Sequence, residues 1–75
     1  MQQLHRVSGE AAIRALEKLG FVMVRQRGRH VLLKRNSPEE TSGCVVPVHD
    51  HLALGTLRGI LKRASVQPDE FNQKL

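Results

Sequence analysis

"FVMVRQRGRHVLLKR", residues 21 to 35, holds two strand-like apolar runs on either side of a compact basic segment. The runs are Phe21 to Gln26 and His30 to Arg35, both rich in Val, Leu and other residues that favour a pleated chain. "RGR" at 27 to 29 separates them, and its Gly28 can take the positive φ that a short hairpin connection demands. The segment therefore predicts a β-hairpin with His30 at its mouth. Period-two alternation then puts Val31 and Leu33 on one side and His30, Leu32 and Lys34 on the other. If the rest of the chain covers Val31 and Leu33, His30 looks outward.

Upstream, Ser8 is a suitable N-cap and Glu10 suits the positive end of a helix, while Ala12, Ile13, Leu16 and Leu19 recur at helical spacing. A helix is expected from about Gly9 to Leu19, closed by Gly20 in a left-handed conformation with Phe21 folded back over the last turn. Downstream, "NSPEETSG" (36 to 43) is dense in turn formers, and "CVVPVH" (44 to 49) reads as a third strand. Pro47 cannot donate to a ladder, so that strand lies at an edge or is bulged there. A second helix is expected from Gly55 or Thr56, with Leu57, Ile60, Leu61 and Ala64 on one stripe and Arg58 and Lys62 on the opposite face. "QPDEFNQKL" places Pro68 in a first turn with Asp69 and Glu70 behind it, which suits a short terminal helix.

Antiparallel strands need only one covered face, and two helices suffice to cover it. The expected fold is α+β: αβββα with a short C-terminal helix, a three-stranded antiparallel sheet covered on one face by two helices. That is the arrangement of double-stranded-RNA-binding domains. At 75 residues the chain is expected to form one domain, residues 1 to 75. With the single cysteine Cys44 no internal disulfide forms, and "MQQLHRVSGE" lacks the apolar core of a signal peptide, so a soluble cytoplasmic chain is expected. His5 and Arg6 read as a mobile terminus ahead of the first helix.

Twelve Lys and Arg against seven Asp and Glu give a net charge of +5, and the excess is local. No acidic residue lies between Glu17 and Glu39, whereas Lys18, Arg25, Arg27, Arg29, Lys34 and Arg35 all do. Such a patch points to a polyanion or an acidic protein, against the plainer alternative of a solvated surface. The chain has no Trp or Tyr and only two Phe, both at core-like positions, so unpaired bases are not read by stacking platforms. Contact with RNA would run through phosphates and sugars.

"HDH" at His49 to His51, with Cys44 upstream, invites a metal reading. An H-x-H pair can point two rings one way, but a zinc site needs three or four ligands, and no C-x-x-C or H-E-x-x-H accompanies it. No metal is expected.

"SGEAAIRALEKLGFVMVRQRGRHVLLKR" followed by "VVPVHDHLALGTLRGILKRA" resembles the HicA-type toxins of bacterial toxin-antitoxin pairs, over about Ser8 to Phe71. The resemblance rests on three spaced motifs: Arg25, Gln26, Gly28 and His30; Val46 to His49; and Gly55 to Leu61. It implies a double-stranded-RNA-binding-like fold and metal-independent cleavage of messenger RNA with one essential histidine. It also implies neutralisation by a HicB-type antitoxin, with neither a membrane nor a small-molecule cofactor involved. By position the catalytic histidine falls on His30 and the turn glycine on Gly28. Arg29 stands where the family usually has a small residue, most often Ser, and Ser65 replaces the glycine expected at the end of the second helix.

The chemistry is also reasonable on its own terms. RNA carries its own nucleophile, the 2′-hydroxyl, so a protein can cleave it by removing that proton and stabilising charge on the phosphoryl oxygens. His30 would be the base, with one or more of Arg27, Arg29 and Lys34 as a charge clamp; Arg25, Gly28, Arg58 and Lys62 complete the expected RNA-contacting set. A second acid for the leaving oxygen is not evident, with His49 a candidate. A non-catalytic RNA-binding module would need the arginines but not His30. A docking domain for an acidic partner would use the basic face alone.

Overall fold

The computed structural model describes residues 4–75. Its elements are α1 (Gly9–Lys18), β1 (Val22–Arg27), β2 (His30–Asn36), β3 (Thr41–Pro47), α2 (Leu54–Ala64) and α3 (Pro68–Gln73). The strands form an antiparallel sheet in the order β1-β2-β3, and α1 and α2 both pack against β3. Val31 and Leu33 of β2 and Cys44 and Val46 of β3 face the helices and are buried with Leu16, Leu57 and Phe71. The αβββα expectation, the covered face and the core placement of Phe21 and Phe71 all hold.

Local chemistry sets the ends of the helices. The Ser8 side chain accepts a hydrogen bond from the Ala11 amide at 3.0 Å, which caps α1. At the other end the Phe21 amide donates to the Leu16 carbonyl and the Gly20 amide to that of Glu17, the paired bonds of a Schellman motif, with Gly20 at φ +98°. The same motif ends α2: the Val66 amide donates to Leu61 and the Ser65 amide to Lys62. Its left-handed residue is Ser65, at φ 58° and ψ 41°. A β-carbon there is strained by roughly 1–2 kcal/mol, so Ser65→Gly is expected to stabilise the fold by up to about 1 kcal/mol once the extra freedom of glycine in the unfolded chain is subtracted. Thermal unfolding should show a melting temperature a few degrees higher.

The third strand differs from its expected bounds. It begins at Thr41, so Thr41, Ser42 and Gly43 pair with Asn36, Arg35 and Lys34. It ends at Pro47, and His49 lies beyond it. The turn formers at 36 to 40 are enough to reverse the chain, and pairing with β2 extends the ladder back through Gly43 and Ser42, which have little strand preference of their own, to Thr41. Pro47 does sit on an edge strand, opposite His30. The next ladder bond is the Val48 amide to the Arg29 carbonyl at 2.6 Å. By antiparallel alternation the Pro47 nitrogen points away from β2, where no donor is needed.

The segment ahead of α1 is packed, contrary to the expected mobile terminus. Leu4 lies in the core and the Leu52 amide donates to the Val7 carbonyl at 2.8 Å. At the start of α1, the Gly9 amide donates to the His49 carbonyl at 2.8 Å, and a β-carbon on Gly9 would lie 2.0 Å from the Pro47 carbonyl oxygen. No side chain fits between α1 and the end of β3. Gly9→Ala is expected to cost roughly 1–3 kcal/mol, as overpacking against a fixed backbone does, and to loosen the Pro47–His49 segment; denaturant unfolding measures the loss. Among the described residues no helix is long and apolar enough to cross a membrane.

Candidate nucleic-acid interface

The β1–β2 connection is a two-residue turn, Gly28–Arg29, closed by the pair Arg27 and His30. Gly28 is at φ +55° and Arg29 is not among the residues of positive φ, the pattern of a II′ turn with glycine first. A β-carbon at Gly28 would touch nothing, so the glycine is required by its backbone conformation and not by crowding. The Gln26 side-chain amide donates to the Gly28 carbonyl at 3.1 Å and steadies the turn. On the opposite edge of β2 the Arg29 carbonyl is held by the Val48 amide, so His30 is fixed by backbone pairing on both sides.

Directly paired residues share a face of a sheet. Arg27, His30 and Pro47 therefore form one row across the uncovered face, and Arg25, Leu32 and Val45 form the next. Arg25, Arg27, His30, Leu32 and Val45 line one shallow depression of about 130 Å³. His30 and both arginines are exposed, while Leu32 is half-buried and Val45 is 46% exposed, giving the depression an apolar floor. An imidazole able to accept a proton, two fixed positive charges and a small apolar floor suit a phosphodiester carrying a sugar.

The other candidate residues fall at different distances from this group. Arg29 is exposed in the turn beside His30. Lys34 is on the same face but four residues along β2, roughly 13 Å away at the rise of a strand, so it suits a neighbouring phosphate better than the one at His30. Arg58 and Lys62 are exposed on α2, in the helical layer that covers the opposite face, and are not gathered with His30. Arg35 belongs to the core side: its guanidinium donates to the Leu19 carbonyl at 3.2 Å and lies 4.7 Å over the Phe21 ring. It holds the end of α1 to the sheet.

His49 follows the residue paired with Arg29, and its side chain is exposed. Its amide turns back to the Pro47 carbonyl at 2.9 Å, so the strand does not continue through it. His51 lies in the next loop and lines a separate depression with Arg6, Leu52 and Ala53. Cys44 faces the helices, where burial pushes its thiol up to about 11; it stays protonated near neutral pH and fills core volume. Among the described residues no group of three or more His, Cys, Asp or Glu is placed to hold a metal ion.

The apolar floor escapes sequence reasoning. Alternation puts Leu32 on the side of His30, but an apolar residue there reads equally well as core, so the sequence does not mark it as part of the site. Nothing in the local sequence links Val45 to Leu32, because their proximity depends on the β2–β3 register.

Comparison with known protein families matches the chain to the HicA toxin of bacterial toxin-antitoxin pairs over residues 9–66. That span takes in α1, the sheet and α2. No curated protein matches the chain.

Proposed function

Since the chain belongs to the HicA toxin family, the toxin component of bacterial toxin-antitoxin systems, we propose that it is a cytoplasmic, metal-independent endoribonuclease that cleaves messenger RNA with His30 as its base. The observation that carries this reading is the meeting of His30 with Arg25 and Arg27 around one open depression. His30 takes the proton from a ribose 2′-hydroxyl, and the 2′-oxygen bonds to the adjacent phosphorus. The bond from phosphorus to the 5′-oxygen breaks, that oxygen takes a proton from water, and the hydroxide left behind takes back the proton that His30 had accepted. The products are a 2′,3′-cyclic phosphate and a 5′-hydroxyl. Arg27, with Arg25 or Arg29, balances the charge that grows on the phosphoryl oxygens, the role a bound cation fills in metal-dependent nucleases. Lys34 holds RNA further along the strand, and Arg58 and Lys62 offer a separate phosphate-contacting surface on α2.

Membership of the family implies a cognate antitoxin. In this reading it is a HicB-type protein that covers His30 and contacts Arg27 or Arg29, so the complex is inert toward RNA. The enzyme is tested by incubating purified chain with messenger RNA in excess EDTA. Fragments bearing 5′-hydroxyl and cyclic-phosphate ends are expected; loss of cleavage with chelator and its rescue by a divalent ion would refute metal independence.

A further inference from the structure

β1 is the least covered element of the fold. All six of its residues are exposed, and Val22, Met23 and Val24 are 65%, 52% and 55% exposed. It is also an edge of the sheet, with β2 on one side only. The register slips between Met23 and Arg25, leaving Val24 without a partner in β2. Further along, Arg27 pairs with His30 at the closing end of the two-residue turn, so by alternation the backbone N–H and C=O of Gln26 point to the free edge. Three consecutive apolar residues, free backbone groups and two arginines thus share one open edge.

Self-pairing is opposed here: a bulge and positive side chains are the features that keep edge strands from joining their own copies, and two copies of a chain of charge +5 repel. An acidic strand meets the same bulge but not the repulsion, since its carboxylates complement Arg25, Arg27 and Arg29. We propose that β1 is the docking edge for an extended acidic segment of the antitoxin, which adds as a fourth strand. Apolar residues of that segment lie against Val22 to Val24, and carboxylates lie against the arginines next to His30. Backbone pairing supplies affinity and the charges supply specificity. The inference rests on the functional reading for the existence of the antitoxin, and it places the inhibitor's grip at the edge of the sheet, beside the depression it must close.

The test uses the full chain and the antitoxin encoded with it. Amide exchange of the wild-type complex is expected to slow at Gln26 by about tenfold or more relative to the free chain. Val24→Lys and, separately, Gln26→Pro, which removes the edge-facing N–H together with the side-chain bond to the Gly28 carbonyl, are expected to weaken antitoxin binding by about tenfold or more, with Gln26→Ala, which loses the side-chain bond alone, binding as the wild type does. Val24→Lys should still cleave RNA at the wild-type rate, since it lies outside the depression. If the antitoxin neutralises the wild type, yet binds Val24→Lys unchanged and leaves Gln26 exchange unslowed, the edge-strand proposal is wrong and the toxin reading stands. If the chain cleaves no RNA but the Gln26 amide is protected in the complex, the docking edge stands and the ribonuclease reading fails. Absence of any binding refutes both the antitoxin and its docking edge.

Discussion

His30→Ala is expected to reduce RNA cleavage by roughly 10²–10⁴-fold, the usual contribution of a positioned base, and to relieve growth inhibition in cells that express the chain. The fold should survive the change. The His30 ring is exposed on the uncovered face, and its position comes from backbone pairing with Arg27 and Pro47, which alanine keeps. Circular dichroism and thermal unfolding of the variant should therefore overlay the wild type, and RNA affinity should change little. A non-catalytic RNA-binding module would tolerate the substitution, so the comparison separates the two functions. A folded variant cleaving at wild-type rate would remove His30 from the chemistry.

The second large effect concerns the charges beside it. Arg25→Gln with Arg27→Gln removes both guanidinium groups that border the depression while leaving His30 and the turn in place. Hydrogen bonds to charged groups contribute about 1.5–3 kcal/mol each, so removing two should weaken RNA binding by roughly 10²-fold or more. The slope of log affinity against log salt should flatten by roughly 0.7 for each phosphate of a single strand that the variant no longer neutralises. Single-turnover cleavage at saturating RNA tests the clamp: if the arginines stabilise the charge of the transition state, the rate falls even when binding is complete. A rate that recovers fully at saturation would confine them to holding substrate. Lys34→Gln is the useful contrast, since its distance along β2 predicts weaker binding with little change in that saturated rate.

Much of the fold was legible because the signals are short-range. The N-cap at Ser8, the glycine stop at Gly20, the hairpin turn at Gly28 and the apolar stripe from Leu57 to Ala64 each specify local structure through backbone freedom or periodicity within a few residues. The outward position of His30 follows from alternation, because Val31 and Leu33 are the residues of β2 that the helices cover. The start of β3 was not legible in the same way. Thr41, Ser42 and Gly43 have the composition of a turn, and they are strand only because β2 lies beside them.

Thus the sequence by itself determined the order of elements, the hairpin, the side of the sheet that carries His30 and the local excess of positive charge, all of which rest on neighbours within about one turn or one strand. Tertiary structure alone decided what stands around His30. Pairing between β2 and β3 brought Val45 to Leu32 and Pro47 to His30, and the covering helices placed Arg58 and Lys62 on the other layer. Packing of α1 and α2 on β3 left β1 bare from Val22 to Arg27. These are pairings between residues far apart in the chain, fixed by register and by which face the core can bury, and no local pattern of side chains encodes either.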